Sequence, residues 1–335
     1  MQTVTIKDIA KALNLSTSTV SRALRGSHEI NTETKRLVLE YAEKLNYKPN
    51  PIALSLKENR SRAIGVIVPE IANNFFSQAI NGIEAIAYNR GYHVMIFQSQ
   101  ESYEREVVNV QHMVARKVDG ILISLSGYTT DMSHLQEPHN NGMPIVFFDR
   151  FSEQIDTHTV IADNFDGAFQ ATEHLILSGR KRIALLTSLE WLSITQERMA
   201  GYKAALKKYN IPLEDSLIRH CGFANEELLE NVDRLLALSP APDAFFTTSD
   251  RLALSCLTIL KDKKVKIPEE LSFVGFTNVK IAHLIDPPLT TVVQPAFEIG
   301  QTAAELLFDL IEEKKKNLPF QKVKLATTLE VRNSS

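Results

Sequence analysis

Apolar side chains recur at helical spacing over the first stretch of the chain. In "TIKDIAKALNL", Ile6, Ile9, Ala10 and Leu13 fall on one helix face, and Thr5 with Asp8 makes an acidic capping box at its start. "Asn14-Leu15-Ser16" breaks the rhythm, so a second helix is expected from a Ser16 cap, turning Val20, Ala23 and Leu24 inward and stopping at Gly26. A third begins at Asn31 and carries Leu37, Val38, Tyr41, Ala42 and Leu45. Residues 1–48 therefore read as a small all-α head.

From residue 61 the period changes. Apolar runs with strand character, "AIGVIVP", "YHVMIFQS", "DGILISL", "PIVFFD", "HTVIAD", "RIALLTS", "AFFTTSD" and "LSFVGFT", alternate with amphipathic segments such as "SQAINGIEAIAYNRG" and "GAFQATEHLILSG". Runs apolar on both faces suit buried parallel strands, and their alternation with helices predicts βαβ units. The expected core, residues 61–335, is α/β with two doubly wound subdomains. Ligands of such sheets bind at the carboxyl ends of the strands.

Between head and core lies "PNPIALSLKEN", residues 49–60 with its last arginine, polar at both ends and apolar in the middle. Pro51 suits the first turn of a short helix, and Ile52 and Leu56 share one face while Leu54 points away. A helix this short is marginal by itself, so it should order only when its apolar face is covered.

Composition adds a second distinction. The chain has 335 residues and a formal net charge of −3. Residues 1–60 hold ten Lys/Arg against six Asp/Glu, a net of +4, which leaves −7 for the remainder. A basic head on an acidic body suggests that the head alone meets a polyanion. The exposed face of the second helix agrees: Thr17, Ser18, Ser21, Arg22 and Arg25 are short hydroxyls and arginines. A helix entering the major groove of DNA needs small polar groups near the base edges and an arginine that can pair with guanine. An ordinary polar face of a helical bundle is the plainer alternative.

Enzyme motifs are missing from the sequence. No GxGxxG or GxxxxGK follows a strand, and GxSxG and HExxH are absent. The two cysteines, Cys221 and Cys256, form no CxxC or Cys/His pattern, and the histidine pair of "HLQEPH" reads as a surface loop containing proline. Neither a metal nor a cofactor is expected. The start lacks a basic-then-apolar secretory pattern, and no run approaches ~18 uninterrupted apolar residues, so a cytoplasmic protein is expected.

"TIKDIAKALNLSTSTVSRALRG", "YKPNPIALSLK" and "IGVIVPEIANNFF" together resemble the lactose/galactose-repressor family of bacterial transcription regulators, and the similarity extends over essentially the whole chain. The resemblance implies a helix-turn-helix head, a hinge helix at 49–60, and a dimeric core that resembles periplasmic sugar-binding proteins. It implies three crossings between subdomains, placed near Asp163, Val293 and Leu325, giving one subdomain of about 61–162 and 293–325 and another of about 163–292 and 326–335. It assigns base reading to Thr17, Ser18 and Arg22, and backbone contacts to Ser21, Thr34 and Asn50. Leu56 becomes a wedge in the minor groove with Lys57 beside it, while Ile52 packs the two hinge helices together. The expected DNA-facing set is completed by Arg25 and Ala53.

In the core, polar residues sit just past strand ends: Asn73 and Asn74 with Phe75 and Phe76, Asp149-Arg150, Asp163-Asn164, Ser249-Asp250 and Thr277-Asn278. With Arg198 and Phe223 they suit a sugar, carboxylates and amides binding hydroxyls while rings cover C–H faces. Singly, each also suits a core position or an ion pair. The resemblance implies that Phe76, Asp149, Arg198, Phe223, Ser249, Asp250 and Thr277 line an effector cleft. The family usually has aspartate where this chain has Thr277, and Asn278 is expected to take over part of that role.

The sequence thus points to a homodimeric, sequence-specific DNA-binding regulator, controlled by a small molecule, most simply a sugar, and acting at a near-palindromic operator. The competing readings are a solute-binding protein or sugar-processing enzyme with a helical appendage, and an architectural DNA-binding protein without effector. The short polar tail "TLEVRNSS" carries no leucine heptad, which favours a dimer over a coiled-coil tetramer.

Overall fold

The computed structural model describes residues 4–24, 28–47, 60–312 and 319–335. Gly26, Arg25 and the linker residues Asn50, Pro51, Ile52, Ala53, Leu54, Leu56 and Lys57 lie outside the described residues, and the hinge helix expected there lies outside them too. The chain divides into two compact units, Met1–Ser61 and Arg62–Ser335.

In the first unit, α1 (Ile6–Ala12), α2 (Thr17–Leu24) and α3 (Thr32–Lys44) enclose a core of Ile9, Ala10, Val20, Ala23, Val38 and Ala42. The caps explain the boundaries. Asp8 accepts from the Thr5 amide at 2.8 Å, Ser16 Oγ accepts from the Thr19 amide at 3.0 Å, and Asn31 Oδ1 accepts from the Thr34 amide at 2.7 Å. Asn14 turns the chain between α1 and α2 with a positive φ of 52°, which asparagine tolerates. Leu37, expected on the inner face of α3, is instead 49% exposed, because Val38 and Ala42 one residue around the helix fill the contact.

The second unit contains two six-stranded sheets. The first has the order β11-β5-β4-β3-β1-β2, built from β1 (Ala63–Val68), β2 (His93–Gln98), β3 (Ile121–Ile123), β4 (Ile145–Phe148), β5 (Thr159–Ala162) and β11 (Lys322–Leu325), all parallel. The second has the order β12-β10-β9-β8-β6-β7, from β6 (Ile183–Thr187), β7 (Ile218–His220), β8 (Ala244–Thr247), β9 (Ser272–Phe276), β10 (Thr290–Val293) and β12 (Thr328–Glu330). Only β12 of this second sheet pairs antiparallel, with β10. Side chains alternate between two apolar layers on each sheet. Val146 and Phe148 of β4 face one cluster and Ile145 and Phe147 the other, as Ala184 and Leu186 do against Ile183 and Leu185 on β6.

Helices α4 (Asn74–Asn89), α5 (Tyr103–Ala115), α6 (Ser133–Asn140) and α11 (Ala296–Ile311) cover the first sheet. The second is covered by α7 (Asn164–Leu177), α8 (Ser193–Lys208), α9 (Asn225–Leu236) and α10 (Asp250–Asp262). Each lobe has one helix pair in close approach through glycine: a Cβ on Gly300 of α11 would lie 2.0 Å from Ala79 O of α4, and one on Gly201 of α8 would lie 2.2 Å from Phe165 O of α7. The chain passes from the first sheet to the second at 163, returns at 294–295, and passes over again at 326–327.

The short polar "TLEVRNSS" tail contributes β12 to the second sheet, and the fully buried Ser334 donates to Phe273 O at 2.6 Å and accepts from the Thr290 amide at 2.8 Å. One expectation is corrected. The "HLQEPH" segment is helix α6 despite Pro138, and His134 is buried with its Nε2 3.0 Å from Glu106 Oε1. Among the described residues no group of three or more His, Cys, Asp or Glu could hold a metal ion.

Candidate functional site

The head offers one face with the chemistry to read DNA. Helix α2 begins at a hydroxyl cluster in which Ser16 Oγ lies 2.7 Å from Ser18 Oγ and 2.8 Å from Thr19 Oγ1. Thr17, Ser18 and Arg22 are exposed and Ser21 is half-buried, so the short hydroxyls and the arginine share the outer side of the helix. Arg22 Nη1 is 3.1 Å from Glu29 Oε2, with both side chains about half exposed. Thr34 sits in the first turn of α3, its amide used by the Asn31 cap.

In the core the strand-end residues converge where the two sheets' carboxyl edges face each other. Asp149, just beyond β4, is buried and takes a left-handed backbone with φ 60°. Arg198 on α8 is 4% exposed; its Nε donates to Asn164 Oδ1 at 2.8 Å, its Nη1 to Thr248 O, and its guanidinium lies 3.9 Å over the Phe276 ring. Burial pushes Arg198 down to about 10, against the pull of Asp149 from the first lobe and Asp250 from its own. Burial likewise raises Asp149, opposed by the charges of Arg150 and Arg198, and raises Asp250, opposed by the Thr277 hydroxyl and then by the Asn278 amide 2.8 Å from its Oδ1. Arg150 places Nη1 2.8 and 3.1 Å from the two oxygens of Glu101. Arg198, Asp149, Asp250, Arg150 and Glu101 thus form a charge cluster shared by both lobes.

Other expected contacts are partly engaged elsewhere. Phe75 and Phe76 both belong to the first lobe's apolar core, packed edge-on at 5.2 Å, with Phe76 6.4 Å from Phe148. Asn74 opens α4 behind the Asn73 cap. Ser249 caps α10 through the Leu252 amide at 3.3 Å. Thr277 is fully buried, and its hydroxyl accepts from the Val279 amide at 3.2 Å. Asn278, expected to take over part of the aspartate's role, is engaged by the backbone of the second crossing. Its Nδ2 donates to Gln294 O at 2.7 Å and its Oδ1 accepts from the Gln294 amide at 3.1 Å, so the carboxamide clamps the second crossing. From the first lobe, Gln78 Nε2 reaches Asn278 O at 3.2 Å. Arg198 touches the first crossing in the same way, through Asn164, whose Nδ2 donates to Ala162 O at 3.2 Å.

Trp191, and the carboxylate pair Glu101 and Glu106, carried no sequence signal strong enough to single them out. Trp191, after β6, crosses to the other lobe and donates from Nε1 to Gly127 O at 2.9 Å. Phe223 is half-buried against Tyr128 at 5.6 Å, and a Cβ on Gly127 would come within 2.7 Å of its ring. Glu101 and Glu106 fix the loop between them: Glu106 accepts from the Ser126 amide at 2.6 Å and the Thr129 hydroxyl at 2.8 Å, and Glu101 from the Gly127 amide at 2.6 Å. A cavity of about 280 Å³ opens beside this loop, lined by Ser126, Thr129, Arg150 and Phe151 from the first lobe and Trp191 and Leu192 from the second.

Comparison with known proteins bears on both units. Residues 61–326 match the family described as periplasmic binding proteins and sugar binding domain of the LacI family, and residues 5–50 match bacterial regulatory proteins, lacI family. The chain is 36% identical over 308 residues to the HTH-type transcriptional repressor CytR of Escherichia coli (strain K12), covering 92% of this chain and 90% of that protein. It is 32% identical over 310 residues to the HTH-type transcriptional repressor PurR of Vibrio atlanticus (strain LGP32), covering 92% of each. Among solved structures, the Lac repressor dimer bound to operator and the anti-inducer ONPF superposes with a TM-score of 0.85 at 25% identity, over 99% of each chain. The transcriptional regulator CelR in complex with cellobiose gives 0.75 at 26% identity, over 99% of this chain and 100% of that one.

Proposed function

The chain belongs to the LacI family of bacterial regulatory proteins and is a DNA-binding transcriptional repressor, and we propose that a neutral sugar held between its core lobes controls its hold on a near-palindromic operator. Two copies act together, since a two-fold protein demands a two-fold site. The exposed Tyr88 of α4, and Leu254, Ile281 and Leu284 in the second lobe, supply apolar surface for that pairing. Arg22 reads guanine, and Thr17, Ser18 and Ser21 approach base edges and phosphates. The linker residues Asn50, Ala53, Leu56 and Lys57, with Arg25, extend this contact. The protein works in the cytoplasm, where its operator is.

The observation that carries the reading is the buried cluster of Asp149, Arg198 and Asp250, drawn from both lobes and tied to two of the crossings through Asn164 and Asn278. A polyol between Asp149 and Arg198 replaces charge–charge contacts with hydrogen bonds and so changes the angle at which the lobes meet. Asn164 and Asn278 pass that change to the crossings. Because the coupling is reciprocal, a sugar that weakens operator binding must itself bind less well to the operator complex. Phe75 and Phe76 back the cleft wall, and Phe223 covers a ring face.

A thermal-shift screen over neutral sugars tests the reading: a sugar at 100 times its dissociation constant should stabilise the core by about 2.7 kcal/mol. Silence across mono- and disaccharides, with operator binding intact, would contradict the assignment of a sugar effector.

A further inference from the structure

The roughly 280 Å³ cavity beside the charge cluster shares only Arg150 with the effector contacts named above. Its size is just under the ~300–1,000 Å³ of a whole ligand site, which leaves room for one ring rather than two. Its lining residue Arg150 lies within electrostatic reach of both Asp149 and Arg198, so the cavity borders the cluster and a molecule bound there has room to extend toward it.

The lining specifies what kind of ring fits. Ser126, Thr129, Ser152 and Gln154 supply hydroxyls and an amide, and Phe151 and Trp191 supply aromatic faces. Among the described residues that line it, the one cation is Arg150, already paired with both oxygens of Glu101, so this lining offers no free charge. Beside it, Arg150, Arg198 and Arg251 stand against Asp149, Asp250 and Glu101, so the surroundings carry no net positive charge that would favour a phosphorylated or carboxylated ligand. Hydroxyls, an amide and ring faces without net charge are the recognition chemistry of a neutral carbohydrate.

The wall is tied down by hydrogen bonds and the roof is aromatic. Glu106 and Glu101 hold three successive elements of the 126–129 loop through the Ser126 amide, the Gly127 amide and the Thr129 hydroxyl. The roof is Trp191, which reaches across the lobes to Gly127 O yet remains 53% exposed, beside Tyr128 at 47% and 6.4 Å between ring centroids. Two large aromatics left half in water at the mouth of a polar cavity are suited to cover a ligand ring.

We infer that this cavity is a second-ring subsite, so that the effector is a neutral carbohydrate of two rings, with Trp191 as the residue that selects for the second. The inference rests on the effector reading of the cleft. One ring lies between Asp149, Arg198 and Phe223. The other lies under Trp191, with its hydroxyls toward Ser126, Ser152 and Gln154.

Trp191 is the chain's single tryptophan, so its fluorescence reports the roof directly. The full chain is titrated with ribose, glucose, galactose, cellobiose, lactose, maltose, sucrose and glucose 6-phosphate, by fluorescence and by calorimetry. Trp191→Ala and the exposed-loop variant Gln154→Leu, which removes no buried group, are titrated by calorimetry. A disaccharide should bind with a change in Trp191 emission, and both variants should weaken it by about tenfold or more while moving monosaccharide affinity by under about twofold. Equal weakening of both ligand sizes, binding of monosaccharides only, or preference for the phosphate ester would overturn the subsite while leaving a sugar in the main cleft. If none of these compounds binds, the sugar reading of the cleft fails and the subsite fails with it.

Discussion

The reading face of α2 and the charge cluster of the cleft use the same side-chain chemistry under opposite solvation. On α2, Arg22 pairs with Glu29 while both stay about half exposed, and such pairs contribute about 0–1 kcal/mol because water screens them. In the cleft, Arg198 is 4% exposed and its charge is sustained by Asp149, Asp250, Asn164 and the Thr248 carbonyl. The first arrangement is free to exchange a partner for a guanine or a phosphate. The second is costly to disturb, so anything that enters it must rearrange what surrounds it. A repressor needs both: a face that trades contacts readily and a centre whose contacts are coupled to the fold.

Salt should separate the two most widely. A head that neutralises 6–10 phosphates loses roughly 10³–10⁵-fold in operator affinity between 50 and 200 mM salt. Sugar affinity, set by buried groups and a neutral ligand, should move by under about twofold over the same range, since buried pairs are little screened. Parallel anisotropy and calorimetric titrations check this, and an equally steep salt dependence for the sugar would erase the contrast.

Next in size is the loss of the buried cation. Arg198→Met leaves Asp149 and Asp250 without it and should lower unfolding stability by about 3–5 kcal/mol, read from denaturant midpoints. A change under about 1 kcal/mol would mean that solvent already screens the cluster. Arg22→Ala, by contrast, should leave the midpoint within about 0.5 kcal/mol, because its side chain is surface-exposed. It should instead cost about 1–3 kcal/mol of operator binding and relax the preference for guanine at one position of each half-site.

The smallest effect is on pH. The native carboxyls of Asp149 and Asp250 hold their protons more tightly than the unfolded ones, whose ordinary value is 3.8. Between those values the native state binds more protons, so this contribution to stability is full below 3.8 and is lost as the pH rises through the raised native values. Asp149→Asn should therefore flatten the decline in stability measured from pH 4 toward neutrality. An unaltered slope would show that Asp149 is not the group being titrated.

The contrast also explains what could be read in advance. The central strands were legible because both faces of β3, β4, β6, β8 and β9 are buried, which leaves uninterrupted apolar runs. The short edge strands were not: β7, β11 and β12 are three or four residues long and half-exposed, so "KVKL" and "TLE" look like loop, whereas the six-residue edge strand β2 did stand out. Polar residues past the strand ends stood out because they interrupt apolar runs, and Asp149, Arg198 and Asp250 do come together. Their partners did not stand out. Glu106 sits in an ordinary amphipathic helix, and nothing local says that its carboxylate will be buried against a loop twenty residues on. The partner of Asn278 was hidden for the same reason: its link to Gln294 exists only once β9 and β10 lie side by side.

The most direct measurement is selection of binding sites from random duplex DNA by the full chain, run without and with each saccharide that changes Trp191 fluorescence. The expected result is a pair of inverted half-sites whose enrichment rises or falls when the saccharide is added. No inverted repeat, or enrichment indifferent to every such saccharide, would contradict a repressor whose head reads DNA under the control of its cleft.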